Sequence, residues 1–138
     1  MKKLDEQYQV LEFPQKGDNR GQLVIVEGTM DVPFEIKRIF YMYGSDPEVV
    51  RGRSANRKSE FVLINVAGTS KIKVDNGEES KVIELNHPHM GVYIKTMVWK
   101  DMYDFSEDSV LLVLASEHYD KEEYIRDYDA FLKEINEQ

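Results

Sequence analysis

Three arginines stand beside segments that have the composition of β-strands, and their side chains could bind a diphosphate. Arg20 lies in the run NRGQL, Arg38 in IKRIF and Arg51 in VRG. A guanidinium group pairs with two phosphate oxygens at once, so arginines at strand ends that converge on the mouth of a barrel suit a phosphorylated ligand. The alternative interpretation is surface charge that balances an acidic chain, and position alone leaves both open.

Aromatic residues are dense along the same segments. An aromatic face can stack on a base or a sugar, and a phenol can donate or accept a proton, so such residues can line a ligand cavity. Core packing is the more common role of any single one. The residues in question are Tyr41, Tyr43, Tyr93, Trp99, Tyr103 and Phe105.

The histidines do not form a recognisable metal site. His87 and His89 flank Pro88, which indicates an exposed turn, and His118 stands alone near the start of the tail. Two histidines with this spacing could chelate from a strand, but solvated turn residues are the favoured interpretation. The chain has no cysteine, which excludes disulfides, thiolate zinc sites, iron–sulfur clusters and cysteine nucleophiles.

Composition and charge bound the possible functions. The chain has 138 residues, 41% of them hydrophobic, which suits a single domain spanning residues 1–138. The 18 Lys and Arg against 26 Asp and Glu leave a net charge of −8, which disfavours binding to nucleic acid. Any anionic ligand must therefore meet a local basic cluster, and residues 51–58 (RGRSANRK) supply one.

The first residues indicate a cytoplasmic protein without a membrane segment. Residues 1–13 (MKKLDEQYQVLEF) have no apolar stretch of the kind a signal peptide needs. No run in the chain approaches the roughly 18 to 20 apolar residues of a membrane helix. Residues 1–15 are mostly polar and are expected to form an arm.

Short β-type runs recur along the chain and predict a sandwich or barrel. An Asp75-Asn76-Gly77 turn joins two of them and indicates a hairpin. Apolar residues at helical spacing after Asp120 predict an amphipathic helix over residues 121–136. The predicted strands are 22–26, 38–43, 61–67, 71–74, 81–85, 91–99 and 110–116.

The sequence can be aligned with the metal-binding positions of a cupin, but it lacks most of the metal-binding residues. Such barrels usually bind a metal with H-x-H-x3-E and a later histidine. Here Ser54 and Asn56 take the first two places, Glu60 the third, and Lys100 the last. One carboxylate out of four ligands does not hold a transition metal. The sequence therefore predicts no metal, and no cofactor is expected.

A family resemblance rests on runs that occur in order along nearly the whole chain. These runs are NRGQL, VPFEIKRIFY, GVYI, VW, MYDF and a closing VLLVLASEHYDKEEYIRDYD. The chain resembles the dTDP-4-keto-6-deoxyglucose 3,4-ketoisomerases, a family of cupins that make precursors of deoxyamino sugars. The resemblance covers residues from about Arg20 to Phe131.

The resemblance implies a fold, a partner and a reaction. It implies a double-stranded β-helix, a homodimer with exchanged N-terminal strands, and a site for a dTDP-linked deoxy sugar inside the barrel. The reaction moves a ketone from C4 to C3 of the sugar through an enediolate, with a base at C3 and an acid at C4. No metal or redox cofactor is required. The arginines that hold the diphosphate correspond to Arg20, Arg38 and Arg51, and Tyr93, Trp99 and Tyr103 are further expected substrate contacts.

The chain departs from the family at the proton-transfer positions. The family's R-G-x-H-A-H motif reads RGRSAN here, so that Ser54 and Asn56 replace both histidines, one of which is the ring base. A glutamine of the next strand falls at Phe61, and the histidine after the VW pair falls at Lys100. One of two tyrosines in the second strand is Phe40, and the other is retained as Tyr41.

Three interpretations follow from this departure. In the first, the protein binds a dTDP-sugar with its isomerase activity impaired or altered, because Asn56 has no basic lone pair and Ser54 is a base only if another group deprotonates it. In the second, a relocated base isomerises the sugar; the candidates are Lys100, Tyr41, Tyr93 and Glu60, each of which needs a strongly shifted pKa. In the third, the chain is a non-catalytic interaction module.

Overall fold

Two five-stranded antiparallel sheets make up most of the fold. The protein is described by a computed structural model that covers residues 2–137. The strands of the first sheet are β1 (Tyr8–Glu12), β4 (Arg38–Tyr43), β6 (Phe61–Ala67), β9 (Met90–Ile94) and β11 (Val110–Ala115). Their order in the sheet is β1-β9-β6-β11-β4.

The second sheet lies opposite the first, and its strands are β5 (Arg51–Asn56), β7 (Ser70–Asp75), β8 (Ser80–Leu85), β10 (Trp99–Tyr103) and the short β12 (Tyr124–Ile125). Their order in the sheet is β12-β5-β10-β7-β8. A separate hairpin joins β2 (Gln15–Asp18) to β3 (Gly21–Val24). The helix α1 (Tyr128–Asn136) ends the chain's regular structure.

The main core fills the space between the two sheets. In β7, Ile72 and Val74 are fully buried while Lys71 and Lys73 are half-buried, so alternate side chains enter the core. They pack against Phe61, Leu63 and other residues of the first sheet. This arrangement confirms the predicted all-β sandwich with a C-terminal helix.

The predicted hairpin at Asp75-Asn76-Gly77 is confirmed and also anchors the helix. The Asp75 carboxylate accepts a hydrogen bond from the backbone N–H of Gly77 at 2.6 Å. Gly77 has φ of +94°, a conformation that favours glycine. A Cβ there would lie 2.5 Å from Cδ1 of Ile135, so glycine also lets the helix approach the turn.

Several predictions differ from the structure, in which the strands β1, β2, β5 and β12 have no predicted counterpart. The helix begins at Tyr128 and not near residue 121, because Lys121–Glu123 forms a 3₁₀ turn and Tyr124–Ile125 pairs with β5. The predicted strand 91–99 is two strands, β9 and β10, which belong to different sheets. The predicted polar arm is largely ordered, since Leu4 is buried in the core and β1 pairs with β9; Met1 lies outside the described residues.

No helix in residues 2–137 has the length and apolarity needed to cross a bilayer.

Candidate functional site

A cavity of about 410 Å³ opens between the two sheets. This volume lies within the usual range of small-molecule pockets. Its walls are largely apolar, while six polar side chains reach it from β4, β5, β10 and the segment after the 3₁₀ turn. The apolar wall includes Phe61, Leu63, Met102 and Val113, and the polar residues are Tyr41, Arg51, Ser54, Lys100, Tyr124 and Arg126.

A backbone irregularity in β5 places Arg51 and Ser54 at this cavity. Gly52 and Arg53 both have positive φ, +83° and +48°, and the pairing of β5 with β10 shifts register beside Lys100. A Cβ on Gly52 would lie 2.9 Å from the Lys100 carbonyl oxygen, so only glycine allows this approach of the two strands. After the irregularity Ser54 and Asn56 are buried, whereas the side chain of Arg53 lines a groove elsewhere.

Lys100 carries a buried amine at the cavity wall. Its Cα is paired with that of Ser54 across the two strands. Its Nζ donates a hydrogen bond to Asn56 Oδ1 at 3.0 Å and lies 4.7 Å from the ring centroid of Phe61. Within residues 2–137 no carboxylate lies within ion-pair distance of this nitrogen.

Burial changes the protonation of that amine. Loss of water lowers the pKa of Lys100 to about 7, and the charge of Glu123 opposes this only partly. A substantial fraction of the amine is therefore neutral at physiological pH. A neutral amine has a free electron pair, so it can accept a proton or attack a carbonyl carbon.

Glu123 fixes the segment that follows the 3₁₀ turn to the end of β5. Its carboxylate accepts hydrogen bonds from the backbone N–H groups of Lys58 and Ser59, both at 2.9 Å, and from the Ser59 hydroxyl. Burial acts to raise the pKa of Glu123, but these hydrogen bonds outweigh it and leave that pKa below its usual range. The contacts hold the neighbouring Tyr124 against β5 at the cavity.

Replacing Glu123 by glutamine should destabilise the fold by about 1–3 kcal/mol at pH 7, because the amide places an N–H against buried donors. The lowered pKa stabilises the native state above the usual glutamate range, and this contribution disappears as the pH falls through the folded pKa. Urea unfolding at pH 7 and pH 3 should therefore show a large difference between wild type and E123Q at pH 7 and a smaller one at pH 3. The exposed neighbour variant E122Q is the control; equal stability of E123Q and wild type at pH 7 would contradict the assignment.

The three arginines predicted to hold a diphosphate occupy different places. Arg51 lines the cavity, and Arg38 lies beside it, with its Nη2 donating to the Tyr124 hydroxyl at 3.1 Å. The guanidinium of Arg38 also lies 5.1 Å from the ring centroid of Phe40, and its buried Nε has no hydrogen-bond partner among residues 2–137. Arg20 is on the β2–β3 hairpin, where its largely exposed side chain pairs with Asp18 at 2.6 Å. Within one chain, Arg20 does not line this cavity.

The candidate bases are also separated. Tyr41 lines the cavity with an exposed side chain, and Lys100 lines it from within. Tyr93 and Glu60 hydrogen-bond to each other, and Tyr93 packs with Phe34 in a cluster on the far side of the first sheet. Burial and the Glu60 carboxylate raise the pKa of Tyr93, which makes it a weaker acid at neutral pH. The structure therefore leaves Lys100 and Tyr41 as the candidate bases that reach the cavity.

Trp99 and Tyr103 line a different groove, of about 660 Å³, on the outer face of the second sheet. Trp99 packs there against Tyr128 and Phe131 of the helix, with ring centroids 5.2 and 5.8 Å apart. Two polar residues that line the 410 Å³ cavity, Tyr124 and Arg126, were absent from the sequence prediction. Both lie in YIRDYD, a run that carried the family resemblance but was placed in the helix.

The histidine pair gives no metal site. The rings of His87 and His89 lie 5.2 Å apart, and in residues 2–137 no group of three or more His, Asp or Glu side chains could hold a metal ion. The absence of a metal requirement stays a prediction.

Comparisons with known proteins agree with the resemblance. The family described as WxcM-like, C-terminal (FdtA) matches residues 6–136. The TDP-4-oxo-6-deoxy-alpha-D-glucose-3,4-oxoisomerase of Aneurinibacillus thermoaerophilus is 41% identical over 126 residues, which are 91% of this chain and 91% of that protein.

Two solved structures are similar over nearly the whole chain. A 3,4-ketoisomerase from Helicobacter canadensis is 45% identical, with a TM-score of 0.91 over 94% of this chain and 97% of that one. A histidine-to-asparagine mutant of the 3,4-ketoisomerase QdtA from Thermoanaerobacterium thermosaccharolyticum, in complex with TDP-4-keto-6-deoxyglucose, is 42% identical, with a TM-score of 0.93 over 96% of each chain. These likenesses confirm the predicted cupin fold.

Proposed function

Since the chain belongs to the WxcM-like (FdtA) family of sugar-nucleotide 3,4-ketoisomerases, we propose that it binds a TDP-linked 4-keto-6-deoxyhexose in the cavity between its two sheets. The observation that carries this proposal is the lining of that cavity, in which Arg51 and Arg126 stand beside an apolar wall. The arginines suit the diphosphate, and the apolar wall suits the deoxygenated edge of the sugar.

The acidic character of the chain makes the arginines at the cavity important for binding a nucleotide sugar. With a net charge of −8, the protein as a whole repels a nucleotide sugar, so binding depends on cations placed at the site. Arg38 adds a third cation beside the cavity, and its unpartnered buried Nε leaves a donor available. We propose that Arg38, Arg51 and Arg126 share the diphosphate.

The proposal includes severe impairment of the family's usual isomerisation. The positions of the family's histidines hold Ser54 and Asn56, neither of which titrates near neutral pH. The Asn56 Oδ1 is moreover engaged by the Lys100 amine. Loss of a general base typically costs about 10²- to 10⁴-fold in rate.

One observation favours a second candidate, an isomerase with a relocated base. Lys100 is buried at the cavity, pairs in register with Ser54, one of the two positions at which the family has a histidine, and has a pKa lowered to about 7. A base of this strength could remove the proton at C3 of the sugar. Tyr41, the other candidate at the cavity, has an exposed side chain.

We further propose a cytoplasmic homodimer that exchanges N-terminal strands and works without a metal or redox cofactor. The β2–β3 hairpin is mostly exposed, and its Leu23 shows an apolar side chain to solvent. On the edge strand β4, Ile39 and Tyr41 are also exposed. If the hairpin crosses to a second copy, Arg20 can join that copy's cavity, which accounts for its distance from the cavity of its own chain.

Calorimetric titration with TDP tests the binding site through neighbouring arginines. Arg51 lines the cavity and Arg53 lines the outer groove, although both belong to β5. R51Q should weaken TDP binding about 10- to 100-fold, because a charge-assisted hydrogen bond contributes about 1.5–3 kcal/mol. R53Q should bind TDP like wild type. Weaker binding by R53Q with R51Q unchanged would place the nucleotide in the outer groove and contradict the proposal.

A further inference from the structure

The amine of Lys100 has an environment that suits a nucleophile as well as a base. It sits at the wall of the cavity, it has no carboxylate partner among the described residues, and its hydrogen bond to Asn56 leaves the nitrogen electron pair free when the amine is neutral. Amines activated by desolvation in apolar pockets form covalent intermediates with carbonyl substrates.

The position of Lys100 relative to Ser54 brings this amine close to the ketone carbon of the sugar. Directly opposed residues on antiparallel strands have Cβ atoms about 4.5–5.5 Å apart. Ser54 and Asn56 hold the places of the family's two histidines, one of which is the base at C3; Lys100 pairs with Ser54 in register and hydrogen-bonds to Asn56. The ketone of a 4-keto sugar lies on the next ring carbon, within reach of a lysine side chain from this position.

We propose that Lys100 forms a reversible imine with the ketone carbon of the bound 4-keto sugar, an inference that rests on the proposed function. The Nζ electron pair forms a bond to C4, and the π electrons of the carbonyl move to its oxygen, which takes a proton. In all, the nitrogen loses two protons and the carbonyl oxygen gains two, so that this oxygen leaves as water when the C=N bond forms. Nothing is oxidised or reduced, and hydrolysis regenerates the ketone and the amine.

The imine gives the chain a chemistry that a histidine site lacks. A protonated imine at C4 withdraws electrons more strongly than a ketone does, so the neighbouring C3–H becomes more acidic. Ser54 lines the same cavity and its hydroxyl can pass a proton to the departing oxygen. The chain therefore binds its substrate covalently at C4, the carbon that the family's enzymes only protonate.

Reductive trapping with mass spectrometry tests the imine. Wild-type protein is incubated near pH 7 with TDP-4-keto-6-deoxyglucose and sodium cyanoborohydride, which adds hydride to the iminium carbon and gives a stable secondary amine. We expect one adduct, located by peptide mapping on Lys100, and its suppression by excess TDP. K100R should give no adduct, whereas K95R, which changes an exposed lysine, should give the wild-type amount.

Calorimetry run in parallel separates failure of the imine from failure of the binding site. Binding of the keto sugar without an adduct on Lys100 would overturn the imine while leaving the proposed function intact. Adducts spread over exposed lysines, with the same yield in K100R, would also overturn it. Absence of any binding would overturn both proposals. The wild-type peptide map decides the question even if K100R fails to fold.

Discussion

The double variant Ser54→His/Asn56→His is expected to catalyse 3,4-ketoisomerisation of TDP-4-keto-6-deoxyglucose about 10²- to 10⁴-fold faster than wild type, the usual contribution of a general base. Ser54 already lines the cavity, so an imidazole there reaches the bound sugar. Asn56 lies two residues further along the buried part of β5 and near Glu123, a carboxylate that can orient an imidazolium. NMR detection of the 3-keto product gives the rate directly.

A matched variant shows whether titration or bulk causes the gain. Ser54→Gln/Asn56→Gln fills similar space with side chains that carry no basic nitrogen, and we expect it to stay at the wild-type rate. Because Lys100 Nζ lies 3.0 Å from Asn56 Oδ1, a histidine at position 56 competes for the same space. The triple variant that adds Lys100→His removes this competition. No gain in a well-folded double or triple variant would mean that the site differs from the family in more than its histidines.

Replacing Lys100 by methionine is expected to make the protein more stable near neutral pH. A pKa lowered from 10.5 to about 7 means that burial of the amine costs roughly 4–5 kcal/mol at pH 7 and below, at about 1.4 kcal/mol per pKa unit. Methionine avoids that cost but leaves Asn56 Oδ1 without its donor, which costs about 1–3 kcal/mol. The net gain in free energy of unfolding is about 2 kcal/mol.

The pH dependence of this difference identifies its cause. Between pH 7 and 10.5 the unfolded lysine binds a proton that the folded lysine does not, so wild-type stability should rise with pH relative to K100M. The charged and titratable groups around the amine, Glu123, Arg51, Arg126, Tyr41 and Tyr124, are common to both proteins. Urea unfolding of both proteins from pH 6 to pH 10 measures the effect. A difference that is constant over this range would show that Lys100 titrates normally.

The free-energy cost of burying the Lys100 amine is easier to explain by function than by folding. A buried lysine without a carboxylate partner lowers stability, and an apolar side chain of similar length would fill the same space. If K100M is more stable than wild type and no longer forms the imine with the keto sugar, Lys100 is identified as a residue that is kept for its reactivity.

The sequence predicted the strands whose period and turn residues are clear local signals, but not β1, β2, β5 or β12. In β7 the alternation of Ile72 and Val74 with lysines is visible without a structure, and so is the turn at Gly77. The helix was predicted too long because Tyr124 and Ile125 continue the helical spacing of apolar residues. Their pairing with β5 is a tertiary contact that residue spacing does not encode.

Placement of the site residues was harder because it depends on which face of a strand each one occupies. Trp99 and Lys100 are adjacent in β10 and therefore point to opposite faces, one toward the helix and one toward the cavity. The resemblance suggested both for the site, and only the fold separates them. The alternation of side chains along a strand likewise places Tyr93 on the face that packs against Phe34, away from the cavity. Desolvation of Lys100 likewise depends on neighbours distant in sequence, such as Phe61.

Binding of the sugar without efficient isomerisation is tested most directly by an NMR experiment on wild-type protein with TDP-4-keto-6-deoxyglucose in D₂O. We expect saturation transfer from protein to the thymidine and sugar protons, which reports binding. We also expect conversion to the 3-keto sugar to be slower by about 10² or more than for the double-histidine variant measured beside it. Absence of saturation transfer, or wild-type conversion as fast as that variant's, would overturn the proposed function.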